Sequence, residues 1–451
     1  MIVMKFGGTS VEDAAAMRQV KEIVRSQLRR SPVVVLSAIA LATNRLLECA
    51  QLAAGGKLEK AKELAIGLRD RHHEIIGDLC SSDSAATYLR SMVNDTIGEL
   101  ITLSKGLTIL GELSPRSLDA FGSAGERMSS AIFNTYLNEI GIASELVDAR
   151  SFMITNEHFT KAAPLFDAIE RLIPEKISPH ISKGKIVVTQ GFIGATMSGV
   201  TTTLGRGGSD YSAAIIGAAL GVDEIQIWTD VDGVMTSDPR IVPTAMKLDI
   251  LSFQEASELA YFGAKVLHPS TIIPAIDKKI PVIVLNSKRP SSTGTRIVPE
   301  PSKNNLAVKA IACKKGITVI NILSTRMLMA YGFMESIFSV FNRFKTSVDL
   351  VSTSEVCVSM TIDNDQFLDE ILKELKNFAD VTVFRHKAII CIIGEQMRAT
   401  AGITNRIFNA LHDVEILMIS QGASEINMSV VIEEQLVEEA VRQLHNEFFP
   451  Q

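Results

Sequence analysis

Residues 332–363, GFMESIFSVFNRFKTSVDLVSTSEVCVSMTID, align without a gap on residues 402–433, GITNRIFNALHDVEILMISQGASEINMSVVIE. Gly332 and Gly402, Ile337 and Ile407, Phe338 and Phe408, Ser354 and Ser424, Glu355 and Glu425, Ser359 and Ser429, and Ile362 and Ile432 coincide. No other feature constrains the fold as much, because a repeat this short buries its apolar face only against a neighbour. Each copy reads helix, strand, turn, strand, with a further strand ahead of it. The last third is therefore expected to be one small α+β unit made twice. The copies are chemically unequal. SVDLVSTSE (347–355) carries Asp349 on a strand edge and Glu355 after the turn. Its counterpart LMISQGASE (417–425) sets Leu417 against Ser347 and Ile419 against Asp349, keeping only Glu425. The first copy has the acidic groups to hold a cationic amino acid, and the second reads as packing or pairing surface. A turn-capping role is the plainer alternative for Asp349.

Ahead of the repeat, β-branched runs alternate with helical patterns. SPVVVLSA (31–38), KGKIVVTQGFIG (183–194), DEIQIWTDVDG (223–233) and IPVIVLNS (280–287) read as strands. VEDAAAMRQVKEIVRSQ, ERMSSAIFNTYLNEIG, SDYSAAIIGAALG and FQEASELAYFGA read as helices. Such alternation predicts an α/β domain with a mainly parallel sheet flanked by helices. Residues 55–118 read as a more polar helical lobe inserted over the sheet. SKRPSSTGTRIVPEPSKNN (287–305) concentrates Pro, Ser, Gly and Asn and marks a domain boundary.

Composition narrows the function. The net charge is -6 and the basic residues are dispersed, whereas a nucleic-acid footprint needs a basic stripe. The five cysteines (Cys49, Cys80, Cys313, Cys357, Cys391) form no C-x-x-C pair, and the eight histidines have no ligand spacing. Free thiols and no metal site are expected. No apolar run reaches the ~18 residues of a membrane span. The strand-like IVMKF near residue 1 leaves no room for a signal peptide, so a cytoplasmic protein is expected.

KFGG, at Lys5 to Gly8, puts a lysine and two glycines where a strand hands over to a helix. The order is the reverse of the P-loop, in which the lysine follows the glycines. Ser10 to Asp13 read as a capping box with Ser10 as the N-cap. Free amides and the helix end would then face an anion. TTTLGRGGSDYSAA (201–214) repeats the theme: Arg206, Gly207 and Gly208 form an anion nest, with Ser209 or Asp210 as the helix cap. Two such turns converge at the carboxyl ends of parallel strands, where ligands bind. They suggest one site for a polyphosphate and another anion. IWTDVDGVMTSDPR carries Asp230 and Asp232, which suit turns or ribose contacts, and YFGAKVLHP places Lys265 near a helix end.

KFGGTSV, GERMS, TTTLGRGGSD, WTDVDGVMTSDPR and GAKVLHP, in that order, closely resemble aspartate kinases of the amino-acid kinase superfamily, nearest to the monofunctional lysine-sensitive type. The resemblance spans essentially the whole chain. It implies an amino-acid kinase domain over 1–290, a linker over 291–304, and two ferredoxin-like ACT domains. One ACT domain would be 305–316 plus 387–451, with the other, 317–386, inserted in it. The implied reaction is ATP-dependent phosphorylation of the β-carboxylate of L-aspartate, the first step towards lysine, threonine and methionine, with feedback by L-lysine. Lys5 and Asp210 would be catalytic, and Gly7 and Gly8 would cradle phosphate oxygens. Arg206 would grip a carboxylate, Glu126 the ammonium, with Ser37, Thr43, Ser209 and Asp210 as further substrate contacts. Thr229, Asp230, Met235, Arg240, Lys265 and Val266 match nucleotide contacts. Met327, Gly332, Met334, Ser347, Val348, Asp349, Thr353, Ser354 and Glu355 match lysine contacts. Mg²⁺ would ride on the ATP phosphates. A homodimer through the ACT domains is implied, with pairing of dimers left open. Related kinases of glutamate or acetylglutamate, and an inactive kinase whose ACT pair senses an amino acid, are the rival readings.

The chain departs from the family twice. Leu41 in SAIALATN (37–44) stands where glycine is usual, and leucine resists positive φ; the loop is therefore expected to take another shape. Met235 replaces a tyrosine beside the adenine and can still pack on a base.

Overall fold

A computed structural model describes residues 1–263, 271–300, 307–324, 331–422 and 424–450. Lys265, Val266, Met327 and residues 301–304 of the expected linker lie outside them. The chain forms two compact units: Met1–Val234, Asp249–Phe253 and Val266–Pro301; and Met235–Leu248, Gln254–Lys265 and Ser302–Gln451.

The strands in chain order are β1 (Ile2–Phe6), β2 (Pro32–Leu36), β3 (Ser144–Leu146), β4 (Ile154–Thr155), β5 (Ile186–Gln190), β6 (Ile193–Thr196), β7 (Thr201–Thr203), β8 (Glu224–Thr229), β9 (Ile250–Ser252), β10 (Val282–Asn286) and β11 (Thr295–Val298). Among them run α1 (Ala14–Ser26), α2 (Ala42–Ala54), α3 (Leu58–Leu79), α4 (Asp83–Leu110), α5 (Pro115–Gly122), α6 (Ala124–Glu139), α7 (Phe166–Ser182), α8 (Gly208–Leu220), α9 (Phe253–Tyr261) and α10 (Ile273–Asp277). The main sheet has the order β3-β5-β2-β1-β8-β10-β11-β9. Its first five neighbouring pairs, from β3-β5 to β8-β10, are parallel. β1 and β2 are buried at every residue, as fits central strands covered on both faces. Against them packs one core from α1, α2, α3, α4 and α6, including Met17, Leu46, Leu68, Val93 and Phe133. The helical lobe expected over 55–118 is α3, α4 and the start of α5.

Two helix starts differ from the sequence reading. Ser10 does not cap α1. Residues Gly8–Ser10 form a 3₁₀ turn, and Asp13 is the cap, accepting from the Ala16 amide at 2.8 Å. Ser10 is buried, with its hydroxyl 2.8 Å from that of Ser287. Nor do Ser209 and Asp210 cap α8. They lie in its first turn, and Gly207, at φ 72°, is the cap residue, a conformation natural to glycine.

The second unit carries the repeat as β12 (Ala310–Leu323), α11 (Phe333–Arg343), β13 (Val351–Thr353), β14 (Cys357–Ile362), α12 (Leu368–Leu375), β15 (Asp380–Ile393), α13 (Ile403–Ala410), β16 (Met418–Gln421), β17 (Asn427–Glu433) and α14 (Val437–Phe448). Both copies show helix, strand, turn, strand. They join in one sheet, β13-β14-β12-β15-β17-β16. β12 pairs with β15 along its length, Ala310 with Ile393 and Leu323 with Asp380, with register shifts between Lys314 and Val319. Each copy has its own core, Ile337, Phe341 and Met360 in one and Ile407, Met428 and Leu444 in the other. This unit also takes in residues 235–248, because Val242 packs into the second core and the Ile311 amide donates to the Thr236 carbonyl at 2.8 Å. Its Thr236 hydroxyl also meets His445 Nε2 at 2.9 Å. Contacts thus divide the chain differently from a cut at residue 290.

Candidate active site

The site lies at the carboxyl ends of β1, β2 and β8. β1 runs between β2 and β8 with Lys5 opposite Val35 and Ile227. The lysine is only 9% exposed. Its ammonium lies 2.6 Å from Asp210 Oδ1 in the first turn of α8. A buried ammonium needs such a counter-charge. The chain then turns sharply: the Gly7 amide donates to the Trp228 carbonyl at 3.0 Å. Gly8 passes so close to the loop after β2 that a Cβ would stand 2.9 Å from the Ala38 carbonyl oxygen. Only glycine lets the two loops approach this closely.

A cavity of about 730 Å³ opens here. Lys5, Gly8, Ser37, Thr43, Glu126, Arg206, Ser209 and Asp210 all line it, so the residues matched to substrate converge. Glu126, in the first turn of α6, is 3% exposed, and its Oε2 has no hydrogen-bond partner. Burial pushes its pKa up from 4.5 to about 8, against the opposing pull of the Glu126 and Ala38 backbone. Arg206 is exposed at the cavity. A buried carboxylate short of a partner and a guanidinium thus face one space, an arrangement suited to a ligand with a cation and an anion.

Leu41 keeps the conformation it was expected to refuse. It precedes α2 at φ 67°, ψ -5°, with its side chain 63% exposed at the cavity. The left-handed conformation costs a non-glycine residue roughly 1–2 kcal/mol. The neighbouring backbone is pinned by Arg71 of α3. One guanidinium nitrogen donates to the Ala40 carbonyl at 2.6 Å and the other to the Glu12 carbonyl at 2.9 Å. Arg71 thereby ties the loops after β1 and β2 together. Hydrogen bonds from a charged donor are worth about 1.5–3 kcal/mol, enough to offset the strain at Leu41.

Sequence reasoning missed Arg71, and it missed Asp119 of α5. Asp119 lines the cavity and is buried. Its carboxylate accepts from the Thr203 hydroxyl at 2.6 Å and from the Thr203 and Thr160 amides at 3.0 Å. Burial raises its pKa, and these bonds oppose the rise. Nothing in SLDAFG or GLRDRHH marks either residue, since their partners, backbone groups and the Thr203 hydroxyl, lie far along the chain.

Of the residues matched to nucleotide, Thr229, Asp230, Met235 and Arg240 do not line this cavity. Thr229 and Asp230 follow β8, with the Thr229 hydroxyl 3.2 Å from Asp230. Asn286, aligned with Thr229 in β10, donates to Asp232 at 2.7 Å. Met235 and Arg240 belong to the second unit. Met235 bridges Lys247, and Arg240 holds Asp238 through two nitrogens at 2.5–3.1 Å.

The residues matched to lysine also fall in the second unit. Gly332, at φ 80°, precedes α11, and Met334 is in its first turn. Ser347, Thr353, Ser354 and Glu355 are exposed and Val348 half-buried. Ser354 closes the β13–β14 turn, accepting from the Cys357 amide at 3.2 Å. Asp349 differs from them: its side chain is 1% exposed, under Lys314 and Tyr261. It does not cap a turn.

The amino acid kinase family model matches residues 1–286 and an ACT domain model matches 390–448. The fold and site thus define an amino acid kinase with a C-terminal ACT module. Aspartokinase 3, chloroplastic, of Arabidopsis thaliana is 39% identical over 99% of this chain and 81% of its own. Lysine-sensitive aspartokinase 3 of Escherichia coli is 36% identical over 100% and 99%. The structure of E. coli aspartokinase III with aspartate and ADP superposes with a TM-score of 0.88, 35% identity and full coverage of both chains. The form with lysine and aspartate gives 0.80 at 36% identity, covering 100% of this chain and 99% of that one. The chain belongs to the aspartokinases.

Proposed function

We propose that this enzyme transfers the γ-phosphoryl group of ATP to the β-carboxylate of L-aspartate, giving 4-phospho-L-aspartate. The observation that carries the reading is Glu126: a buried carboxylate with an unpartnered oxygen, in one cavity with Arg206 and the Lys5–Asp210 pair. The α-ammonium of aspartate supplies the missing cation, and Arg206 grips a carboxylate through its planar fork. Ser37, Thr43 and Ser209 offer hydroxyls around the same space. The attacking carboxylate is already ionised at neutral pH, so the reaction needs no general base. It needs in-line placement and neutralisation of charge. Lys5 supplies a cation at the end of a rigid strand, and Asp210 fixes its position. Gly7 and Gly8 are assigned to the phosphate oxygens, which a backbone without side chains lets approach closely.

Thr229 and Asp230 are assigned to the nucleotide, with Met235, Arg240, Lys265 and Val266 as further contacts. Among the described residues no cluster of three His, Cys, Asp or Glu side chains could cage a metal. Mg²⁺ is assigned to the ATP phosphates, where it would supply charge neutralisation. The repeats are read as an ACT pair, one inserted in the other, that binds L-lysine and mediates a homodimer, and the product as the precursor of lysine, threonine and methionine. The E. coli relative named lysine-sensitive supports the regulatory part. The test is ADP release dependent on L-aspartate, with and without L-lysine. Release driven by glutamate or acetylglutamate instead of aspartate would overturn the assignment.

A further inference from the structure

Lys314 stands at the break in the β12–β15 pairing, the last regular pair before the register shifts. Such irregularities re-aim side chains. Its ammonium lies 3.2 Å from Asp349 Oδ1 and 2.7 Å from Asp363 Oδ2, and 4.7 Å from the centre of the Tyr261 ring. The Tyr261 hydroxyl donates to the same Asp349 oxygen at 2.5 Å. Asp349 Oδ2 is buried without a partner. Two carboxylates and an aromatic face around one ammonium make a seat for a primary amine, and a resident side chain fills it.

The second repeat is the internal control. Lys387 also pairs with the acid ending its third strand, Glu433, the counterpart of Asp363. There Ile419 replaces Asp349, so that lysine meets one carboxylate rather than two.

We propose that Asp349, Asp363 and Tyr261 seat the side-chain ammonium of the inhibitory amino acid, and that Lys314 occupies the seat until the inhibitor displaces it. The proposal rests on reading L-lysine as the inhibitor. Free lysine carries the same four-carbon stem and ammonium as Lys314, so displacement exchanges like for like at the seat. The drive must come from the backbone end of the ligand, which reaches the exposed groups between Ser347 and Glu355. An amino acid without a side-chain cation would leave two carboxylates unpaired, which excludes threonine. A self-filled seat also weakens apparent affinity by the fraction of molecules in which it is open.

The test uses the full chain as wild type, Lys314→Met, Tyr261→Phe and Lys387→Met. Lysine inhibition of ADP release and calorimetric lysine binding are measured on samples shown to be folded by circular dichroism. Lys314→Met should lower the half-inhibiting lysine concentration by about tenfold, Tyr261→Phe by a smaller factor, and Lys387→Met not at all. Unchanged or weaker inhibition in Lys314→Met, or an equal gain in Lys387→Met, overturns the proposal. If Lys314→Met does not fold, Tyr261→Phe decides, and an unchanged response sinks the idea. A wild type that neither binds nor responds to lysine refutes the reading of the inhibitor. The seat then survives only if Lys314→Met binds lysine, and is overturned if it does not.

Discussion

Glu126→Gln separates folding from binding within one cavity. Burial raises the Glu126 pKa from 4.5 to about 8. The folded chain therefore holds this proton more tightly than the unfolded chain. The contribution to stability is fully present below 4.5 and is lost as pH rises to 8. Each pH unit in that window removes about 1.4 kcal/mol, a loss on the order of 5 kcal/mol by pH 8.5. Glutamine has the same shape and no charge to desolvate. Urea unfolding should give similar stabilities for the two proteins at pH 4.5, and a glutamine variant more stable by several kcal/mol at pH 8.5. Aspartate binding should move the other way. The ammonium needs the ionised form, so the wild-type KM for aspartate should fall as pH rises from 6 to 8. In Glu126→Gln it should be raised and flat over that range, with the KM for ATP nearly unchanged. Parallel stability-against-pH curves would show that Glu126 titrates normally and refute the argument.

Three further outcomes can be checked. Lys5→Ala should fold and bind aspartate but lose about 10²–10³ in kcat, as removal of one transition-state charge contact does; near-normal turnover removes Lys5 from the chemistry. Leu41→Gly should raise the melting temperature or leave it unchanged, since relief of roughly 1–2 kcal/mol of strain meets an entropic cost of about 0.5–1 kcal/mol; a clear fall means the leucine is not strained. Arg71→Met should raise the KM for both aspartate and ATP more than it lowers kcat, with partial recovery in Arg71→Lys, because the arginine ties two loops and does not line the cavity; a change in kcat alone contradicts that role.

Periodicity and punctuation made the fold legible. The gapless repeat appears as two helix–strand–strand copies because its apolar positions recur in both cores. The parallel sheet follows from buried β-branched runs such as PVVVL. The convergence of Lys5 and Gly8 with Arg206 and Asp210 on one cavity was legible, because glycine turns after parallel strands meet at their carboxyl ends, whereas Ser37, Thr43 and Glu126 were singled out only through the family resemblance. Helix caps were misread, since Ser10 and Asp210 pair across the fold with Ser287 and Lys5, and Ser209 falls inside the first turn behind the Gly207 cap. Leu41 was misjudged because its strain is held by Arg71, thirty residues further along. The cover over Asp349 was not legible, because Tyr261 and Lys314 reach it from distant parts of the sequence.

The exchange of β12 and β15 between the two repeats has a consequence for synthesis. β12 leaves the ribosome first, and the half starting at Ala310 finds its partner only when Ile393 at the far end of β15 arrives. Until then the nascent chain presents a strand with an unpaired edge, the kind of surface that recruits other strands. The first repeat borrows its closing strand from the start of β15, and the second borrows its own from the start of β12. Neither can be cut out whole at a point between them. A stop codon just before β15 leaves the first module without its closing strand and the second with only the strand lent by β12, so that not even the earlier module is finished.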